Sequence, residues 1–438
     1  MSRAVLFLLT ACLLGCGGTP EPQPDWGHDP EPGPATEAPV TSAAAPVTSL
    51  SLARALATVD DQHPELAELR AYVAAAEGRG EQAGLLPNPT LVLRMENAPW
   101  SSGSTRNEAE YVAGLTFQLP ISGRLGAAED VAAREVDQRL QELAQRRREL
   151  HGAARGAFAT ALSLERAAAI QTQARELAER AVALLEARVE AGDAVPADLA
   201  RVEIEATRAR LEQQRVEGLR RRASLRLATA LGDPSLRIDS LVGELEQALE
   251  LPSLEALTRD LERNPQLQAA EAEVALEAAR VELAKVQWIP DVSLDLFYRR
   301  LEETDQHAFD AGVGIPFPLF NRGAGSVRSA LAEQLAAEAR VRATRNELVR
   351  DLRATHARLA QLLQATRVMR EELLSRADTV LANAEARFEA GDASLAELLP
   401  VRRDWARIQL GYVDALGEVM LAWSDLRVLA GAPTAPEE

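Results

Sequence analysis

Most of the chain follows a helical pattern of apolar and polar positions. Alanine is frequent, and Val341, Leu348, Thr355 and Leu362 follow one another at intervals of seven, which indicates coiled-coil packing between long helices. The pattern predicts a short, a long and a returning helix, each occurring twice. The predicted ranges are 50–85, 124–190 and 195–231, and then 253–286, 324–389 and 394–430. A helix of about 60 residues is about 90 Å long, which is too long for a compact domain.

Four shorter segments alternate with a period of two, which is typical of strands. Their predicted ranges are 90–97, 111–119, 291–299 and 309–317. In the second, Tyr111, Leu115 and Phe117 share one face, while Gly114 and Thr116 share the other. Strands of this length, apolar outside and small or polar inside, are typical of membrane barrels. The alternative is a soluble sheet packed on a helix, which alternates in the same way.

Four strands cannot close into a barrel, and an open sheet edge is not tolerated in hydrocarbon. Two chains would give eight strands, an interior that side chains just fill. Three chains would give twelve strands and leave a lumen. The fold class predicted is therefore mostly α, with four transmembrane strands per chain, helical hairpins that form a tunnel, and a twelve-stranded trimeric barrel.

The chain repeats itself at an offset near 200. Glu186–Ala194 reads EARVEAGDA and recurs at Glu385–Ala393 as EARFEAGDA, and His63-Pro64 is matched by Asn264-Pro265. Several matches at nearly one offset indicate an internal duplication.

The N-terminus has the pattern of a secretory signal, with one early charge and an apolar stretch from Ala4 to Leu14. Leu13-Leu14-Gly15-Cys16 is similar to a bacterial lipobox, which predicts lipidation at Cys16, with Cys12 as the alternative. A proline-rich segment follows and is expected to act as a tether.

The predicted organisation is a signal peptide at 1–15, a lipidated tether at 16–49, repeats at 50–243 and 244–431, and a tail at 432–438.

Composition narrows the function classes. Asp and Glu outnumber Lys and Arg by 66 to 48, and the net charge of −18 argues against a nucleic-acid partner. Both cysteines, Cys12 and Cys16, lie in the first sixteen residues, so the body has no disulfide and no thiolate site. The five histidines are scattered, and no carboxylates are placed in a recognisable catalytic pairing. The sequence predicts neither an enzyme, nor a cofactor, nor a resident metal.

The duplicated helix–strand–strand–hairpin halves, the lipobox and the tether resemble the outer-membrane efflux protein (TolC-like) family. Leu86–Leu91 (LPNPTL) and Ile315–Gly323 (IPFPLFNRG) are similar to motifs of its heavy-metal (cobalt–zinc–cadmium or copper) branch. The resemblance implies an outer-membrane channel of a Gram-negative bacterium: a homotrimer, lipid-anchored, with a long periplasmic extension. A periplasmic membrane-fusion adaptor and an inner-membrane efflux transporter are the implied partners.

The resemblance also implies site residues. The turns that would meet the adaptor are Gly192, Asp193, Ala194, Gly391, Asp392 and Ala393. Asp198 and Glu397, six residues after each glycine, would form an acidic ring at a periplasmic gate, and carboxylate rings favour cations. The alternative is that the two acids only complement the helix macrodipole. Multidrug or type I secretion ducts of the same fold, and a coiled-coil periplasmic lipoprotein without a pore, are the other functions open from the residues.

Overall fold

The computed structural model describes residues 49–97, 109–246, 251–302, 304–390 and 392–431. The signal peptide, Cys12, Cys16, most of the tether, Gly391 and the tail at 432–438 lie outside the described residues. Helices lie at Leu52–Gln62 (α1), Pro64–Ala83 (α2), Arg124–Glu190 (α3), Pro196–Ala230 (α4), Leu254–Asp260 (α5), Pro265–Gln287 (α6), Ala324–Val368 (α7), Ser375–Glu389 (α8) and Leu395–Leu429 (α9). Strands lie at Leu50–Ser51 (β1), Thr90–Glu96 (β2), Glu110–Leu119 (β3), Leu241–Val242 (β4), Val292–Leu301 (β5) and Gln306–Gly314 (β6).

The first helix of each repeat is broken, which corrects the continuous helices predicted at 50–85 and 253–286. The breaks fall at His63-Pro64 and Asn264-Pro265, where His63 and Asn264 are extended. A proline disfavours helical backbone in the residue before it and suits the first position of a new helix. His63 Nδ1 accepts from the Glu65 N–H at 3.3 Å, and Asn264 Oδ1 accepts from the Gln266 N–H at 2.8 Å, so each broken helix is capped again at once.

The long helix of the first repeat, α3, has the predicted bounds and 67 residues, a length of about 100 Å. The predicted second helix, 324–389, is instead α7, a π-helical turn at Met369–Leu374, and α8. Both long helices follow a glycine in the left-handed conformation, Gly123 at φ 75° and Gly323 at φ 68°. This is backbone that glycine adopts without a Cβ penalty, and it makes the corner between strand and helix.

Four strands form one antiparallel sheet in the order β2-β3-β5-β6. The register pairs Leu91 with Leu115, Leu115 with Leu296, and Leu296 with Ala311. These residues of all four strands therefore lie on one face, here called the apolar face. The last strand ends at Gly314, not at the predicted 317, because Pro316 and Pro318 follow it and proline cannot donate to a ladder.

The apolar face of this sheet is exposed. Leu93 is 70% and Phe309 is 84% exposed, and no helix in the described part of the chain covers them. In the described residues this sheet is therefore not packed on a helix, as the alternative prediction required. Within the described ranges, no helix is both long enough and apolar enough to span a membrane.

The buried core lies among the helices. In the first repeat, α1, α2, α3 and α4 bury a cluster that includes Val59, Leu66, Phe158 and Leu227. In the second repeat, Leu267, Leu352, Leu359 and Leu426 belong to a corresponding cluster. β1 and β4 form a short parallel pair, with Leu50 opposite Leu241. The sequence did not predict either of these two strands.

Candidate functional site

The turn between α3 and α4 closes with a regular C-terminal capping pattern. Gly192 has φ 82°, its N–H donates to Val189 O at 3.0 Å, and the Asp193 N–H donates to Arg188 O at 2.8 Å. These two bonds form a Schellman motif, which needs a left-handed residue at the position of Gly192. Because the first turn can hold only a glycine there without strain, the Gly-Asp sequence fixes where the helix reverses.

The turn between α8 and α9 repeats this arrangement. The Asp392 N–H donates to Arg387 O at 2.8 Å, the equivalent of the Asp193 bond. The Arg387 guanidinium also donates to Asp392 O at 3.3 Å and lies 3.9 Å from Glu397. Ala393 follows Asp392 in the turn, while Gly391 is outside the described residues.

The two predicted gate residues occupy equivalent places at the start of α4 and α9. Each lies in the first turn of its helix, where a carboxylate complements the positive end of the macrodipole. The Asp198 N–H donates to Val195 O at 2.9 Å and the Glu397 N–H donates to Ser394 O at 3.0 Å. Among the described residues, Glu397 also has side-chain partners and Asp198 has none; Ser394 Oγ donates to the Glu397 carboxylate at 3.1 Å.

A small apolar cluster joins the two turns inside one chain. Val202 of α4 and Leu398 of α9 are each 1% exposed, and they pack with Leu185 and Leu395. An ion pair between Arg403 and Glu205, at 3.4 Å, lies beside this cluster. The two hairpin ends therefore form one packed unit.

The opposite end of the molecule carries a polar sheet face. Arg299 of β5 donates to Glu110 of β3 at 2.5 Å, to Asp310 of β6 at 2.9 Å and to Glu96 of β2 at 3.1 Å. One guanidinium thus joins carboxylates from all three other strands. Such bonds between charged groups are about twice as strong as neutral ones.

A second polar contact lies further along this face. The Thr116 hydroxyl donates to Asp295 at 2.6 Å. Phe297, an apolar residue on the polar face, lies over Gly114, where an added Cβ would come within 2.3 Å of its ring. Arg94 covers the same ring at 5.4 Å from its centroid. The face opposite the exposed apolar residues therefore carries ion pairs and hydrogen bonds.

A charged group near the end of α1 is half-buried and was not predicted. Arg147 donates twice to the Asp60 carboxylate, at 2.6 Å each, and His151 Nε2 lies 2.9 Å from Asp60. Burial lowers the pKa of His151, against the opposing effect of Asp60. His151 Nδ1 is buried without a hydrogen-bond partner among the described residues. Such contacts between residues far apart in sequence leave no local signal.

The described residues were compared with the arrangements that bind metal ions. Across the described ranges, no group of three or more His, Cys, Asp or Glu side chains is placed to hold a metal ion.

The chain is similar to known proteins both in sequence and in fold. The cobalt-zinc-cadmium resistance protein CzcC of Cupriavidus metallidurans is 25% identical over 382 residues, covering 87% of this chain and 90% of that protein. The pyoverdine export outer membrane protein OpmQ of Pseudomonas putida is 25% identical over 80% of this chain and 78% of its own length. The outer membrane channel CmeC of Campylobacter jejuni has the same fold, with a TM-score of 0.71 at 12% identity over 87% of this chain and 85% of that structure.

The outer membrane efflux protein family matches the chain twice, at residues 56–233 and at 256–432. The two matches coincide with the two hairpin-bearing halves described above. The chain belongs to the outer membrane efflux protein family, whose members are channel proteins of the Gram-negative outer membrane.

Proposed function

We propose that this protein is the outer-membrane channel of a tripartite efflux pump and that it passes heavy-metal cations from the periplasm to the exterior. The observation that carries the proposal is the sheet, whose apolar face is exposed while its opposite face is ion-paired around Arg299. That division suits hydrocarbon outside and water inside. A channel of this kind performs no catalysis.

The sheet edges support assembly into a homotrimer. β2 and β6 lie at the two edges of the sheet, and a free edge in hydrocarbon is costly. Three copies joined edge to edge would give a twelve-stranded barrel without a free edge. The lipid on Cys16, or on Cys12 in the alternative, would hold each chain to the outer membrane.

The adaptor would bind the hairpin ends, at Gly192, Asp193 and Ala194 and at Gly391, Asp392 and Ala393. The cluster around Val202 and Leu398 supports this, because it presents both turns as one surface. Cysteines at Ala194 and Ala393 should crosslink to the adaptor in cells, while a cysteine at the exposed Gln214, further along α4, should not. Equal crosslinking at all three positions would remove the docking proposal.

The gate proposal assigns Asp198 and Glu397 to an acidic ring in the closed trimer, with an inner-membrane efflux transporter supplying the energy for passage. Their place in the first turns of α4 and α9 brings both acids to the hairpin ends, and a ring of carboxylates favours cations.

The metal substrate is proposed from the likeness to CzcC, which extends over 90% of that protein. The likeness to OpmQ, which covers 78% of that protein, supports a second candidate, the export of an organic molecule through the same duct.

A deletion strain with intact neighbouring pump genes tests the substrate. We expect loss of tolerance to one or more of zinc, cobalt, cadmium, copper and silver, restored by the wild-type chain. Sensitivity to antibiotics alone would keep the duct and remove the metal assignment. Unchanged tolerance to every compound would contradict an efflux role.

A further inference from the structure

A short segment after β6 exposes more apolar surface than its counterpart in the first repeat. In Ile315–Arg322, here called the 315–322 segment, Phe320 is 99% and Phe317 is 80% exposed, and Ile315 and Leu319 are also exposed. At the equivalent positions of the first repeat, Leu119 is 40% and Ile121 is 65% exposed, and neither residue is aromatic. Exposing two phenyl rings to water is unfavourable in free energy. Contact of this segment with an apolar partner would therefore be stabilising.

The segment continues the apolar face of the sheet. Phe309, Val313, Ile315 and Phe317 are all exposed and lie at alternate positions of one period-two pattern. The pattern continues past the end of the strand at Gly314. Pro316 and Pro318 restrict the backbone, and the Leu319 N–H donates to Phe317 O at 2.8 Å. The backbone that carries the rings is therefore restricted before anything binds, which lowers the entropy cost of binding.

The charge beside the rings is positive and unneutralised. Arg322 is exposed and has no ion pair among the residues that the structure describes. At the first corner, by contrast, the arginine that follows Gly123, Arg124, donates twice to Asp291, at 2.9 and 2.6 Å. No acidic residue occurs between Asp310 and Glu333, although the chain as a whole has a net charge of −18. An exposed cation beside exposed aromatic rings fits a phosphate next to an acyl chain.

We propose that the 315–322 segment is a membrane anchor, which inserts Phe317, Leu319 and Phe320 into the periplasmic leaflet of the outer membrane and binds a phospholipid phosphate with Arg322. The proposal rests on the proposed function, since it needs the sheet to lie in that membrane. Aromatic side chains at the level of the headgroups are typical of membrane proteins. The continuity with the exposed sheet face favours lipid over a second copy of the chain.

The test is photo-crosslinking in the full chain, reconstituted in vesicles of phosphatidylethanolamine and phosphatidylglycerol. p-Benzoylphenylalanine replaces Phe320 in one variant and Leu335 in another; Leu335 is 63% exposed but lies on α7 beyond the sheet. We expect phospholipid adducts at position 320, at a yield several-fold above that at position 335. Adducts with another copy of the chain, adducts with residues 17–48, or equal lipid yields at both positions would overturn the proposal.

Phosphate binding by Arg322 is tested separately. The adduct yield at position 320 should rise with the phosphatidylglycerol fraction and should lose that rise in Arg322→Gln. Arg353→Gln, a change at an exposed arginine of α7, is the matched control and should behave as wild type. If both variants keep the rise, Arg322 does not bind the phosphate.

Ion conductance of the same vesicles separates the two proposals. Conducting vesicles without lipid adducts at position 320 would remove only the anchor. Protein that neither inserts nor conducts would remove the channel proposal, and the anchor with it.

Discussion

The two hairpins share their ends but differ in the middle. α3 runs without interruption from Arg124 to Glu190, while its counterpart contains the π turn Met369–Leu374. Both are followed by the same turn sequence and by return helices of 35 residues. A π turn accommodates an extra residue without rotating the helix on either side. The second hairpin therefore keeps its packing surface in spite of an irregular helix, whereas the first depends on strict regularity.

The junctions, in contrast, are the same in both repeats. Each return helix ends at a left-handed glycine, Gly232 at φ 89° and Gly431 at φ 72°. A Cβ on Gly232 would lie 2.9 Å from His63 Cα, and one on Gly431 would lie 2.6 Å from Asp260 O. In the second repeat, Asn264 Nδ2 also donates to Leu429 O at 2.7 Å. The two repeats are thus alike at these close backbone contacts, whereas their long helices differ.

Deleting one residue from each long helix should have the largest effect and should separate the two hairpins. Gln173 and Glu371 are both exposed and lie at similar places in the two hairpins. Loss of Gln173 rotates the rest of α3 by about 100°, which turns Ala181 and Leu185 away from the cluster at the hairpin ends. Loss of Glu371 converts the π turn to α-helix and leaves the register unchanged.

We therefore expect the Gln173 deletion to abolish a cooperative melting transition in detergent, and the Glu371 deletion to shift the melting temperature by only a few degrees, about 1 kcal/mol. Equal damage from both deletions would show that the π turn does not absorb a residue.

Substitution of the junction glycines comes next in size. Gly431→Ala and Gly232→Ala each place a side chain in left-handed backbone, at a cost of about 1–2 kcal/mol, and add a clash of about 1–3 kcal/mol. Gly123→Ala is the control, since its φ is 75° but no atom lies within 4 Å of the added Cβ. Denaturant unfolding should rank the losses as Gly431, then Gly232, then Gly123. A loss at Gly123 as large as the others would remove the packing explanation.

Of two carboxylates near the ends of the first helices, Asp60 should matter more than Glu262. Asp60→Asn removes the negative charge that faces Arg147 and His151 and replaces one of the two accepting oxygens with an amide donor. We expect a loss of about 1.5–3 kcal/mol in the free energy of unfolding. Glu262→Gln breaks the pair with Arg345, whose side chains are about half exposed, and should cost about 0–1 kcal/mol. Equal losses would mean that burial at Asp60 is not what distinguishes the pair.

The smallest effect concerns pH. Burial lowers the pKa of His151 below its usual 6.5, so the unfolded state binds a proton at a higher pH than the folded state does. Stability from this group is present above about pH 6.5 and is lost as the pH falls through the lower folded pKa. His151→Gln should make the melting temperature less dependent on pH over this range. If the melting temperature of His151→Gln depended on pH as steeply as that of the wild type, His151 would not be the group responsible.

The regular parts of the fold could be predicted because their signals are local. Gly123 and Gly192 bracket α3, so its bounds follow from the pattern. The end of β6 was predicted three residues late, because the exposed alternation continues through Ile315 and Phe317 after the ladder has stopped. The breaks at Pro64 and Pro265 were missed although proline signals them, since the apolar pattern is continuous on both sides.

The candidate sites could be predicted only in part. The turns at Asp193 and Asp392 were located by their repeated sequence. The Arg299 ion pairs and the Asp60 group were not found, because their partners are distant in sequence and meet only when strands or helices pair. Nothing in a period-two pattern indicates which polar residue on a face will bond to which.

The most direct test of the central claim is single-channel recording of the full chain in planar bilayers. The account predicts discrete, cation-selective conductance steps that enlarge in the double variant Asp198→Ala with Glu397→Ala, because the gate ring is then lost. Failure of both proteins to conduct after verified insertion would contradict the claim that this chain forms a duct through the outer membrane.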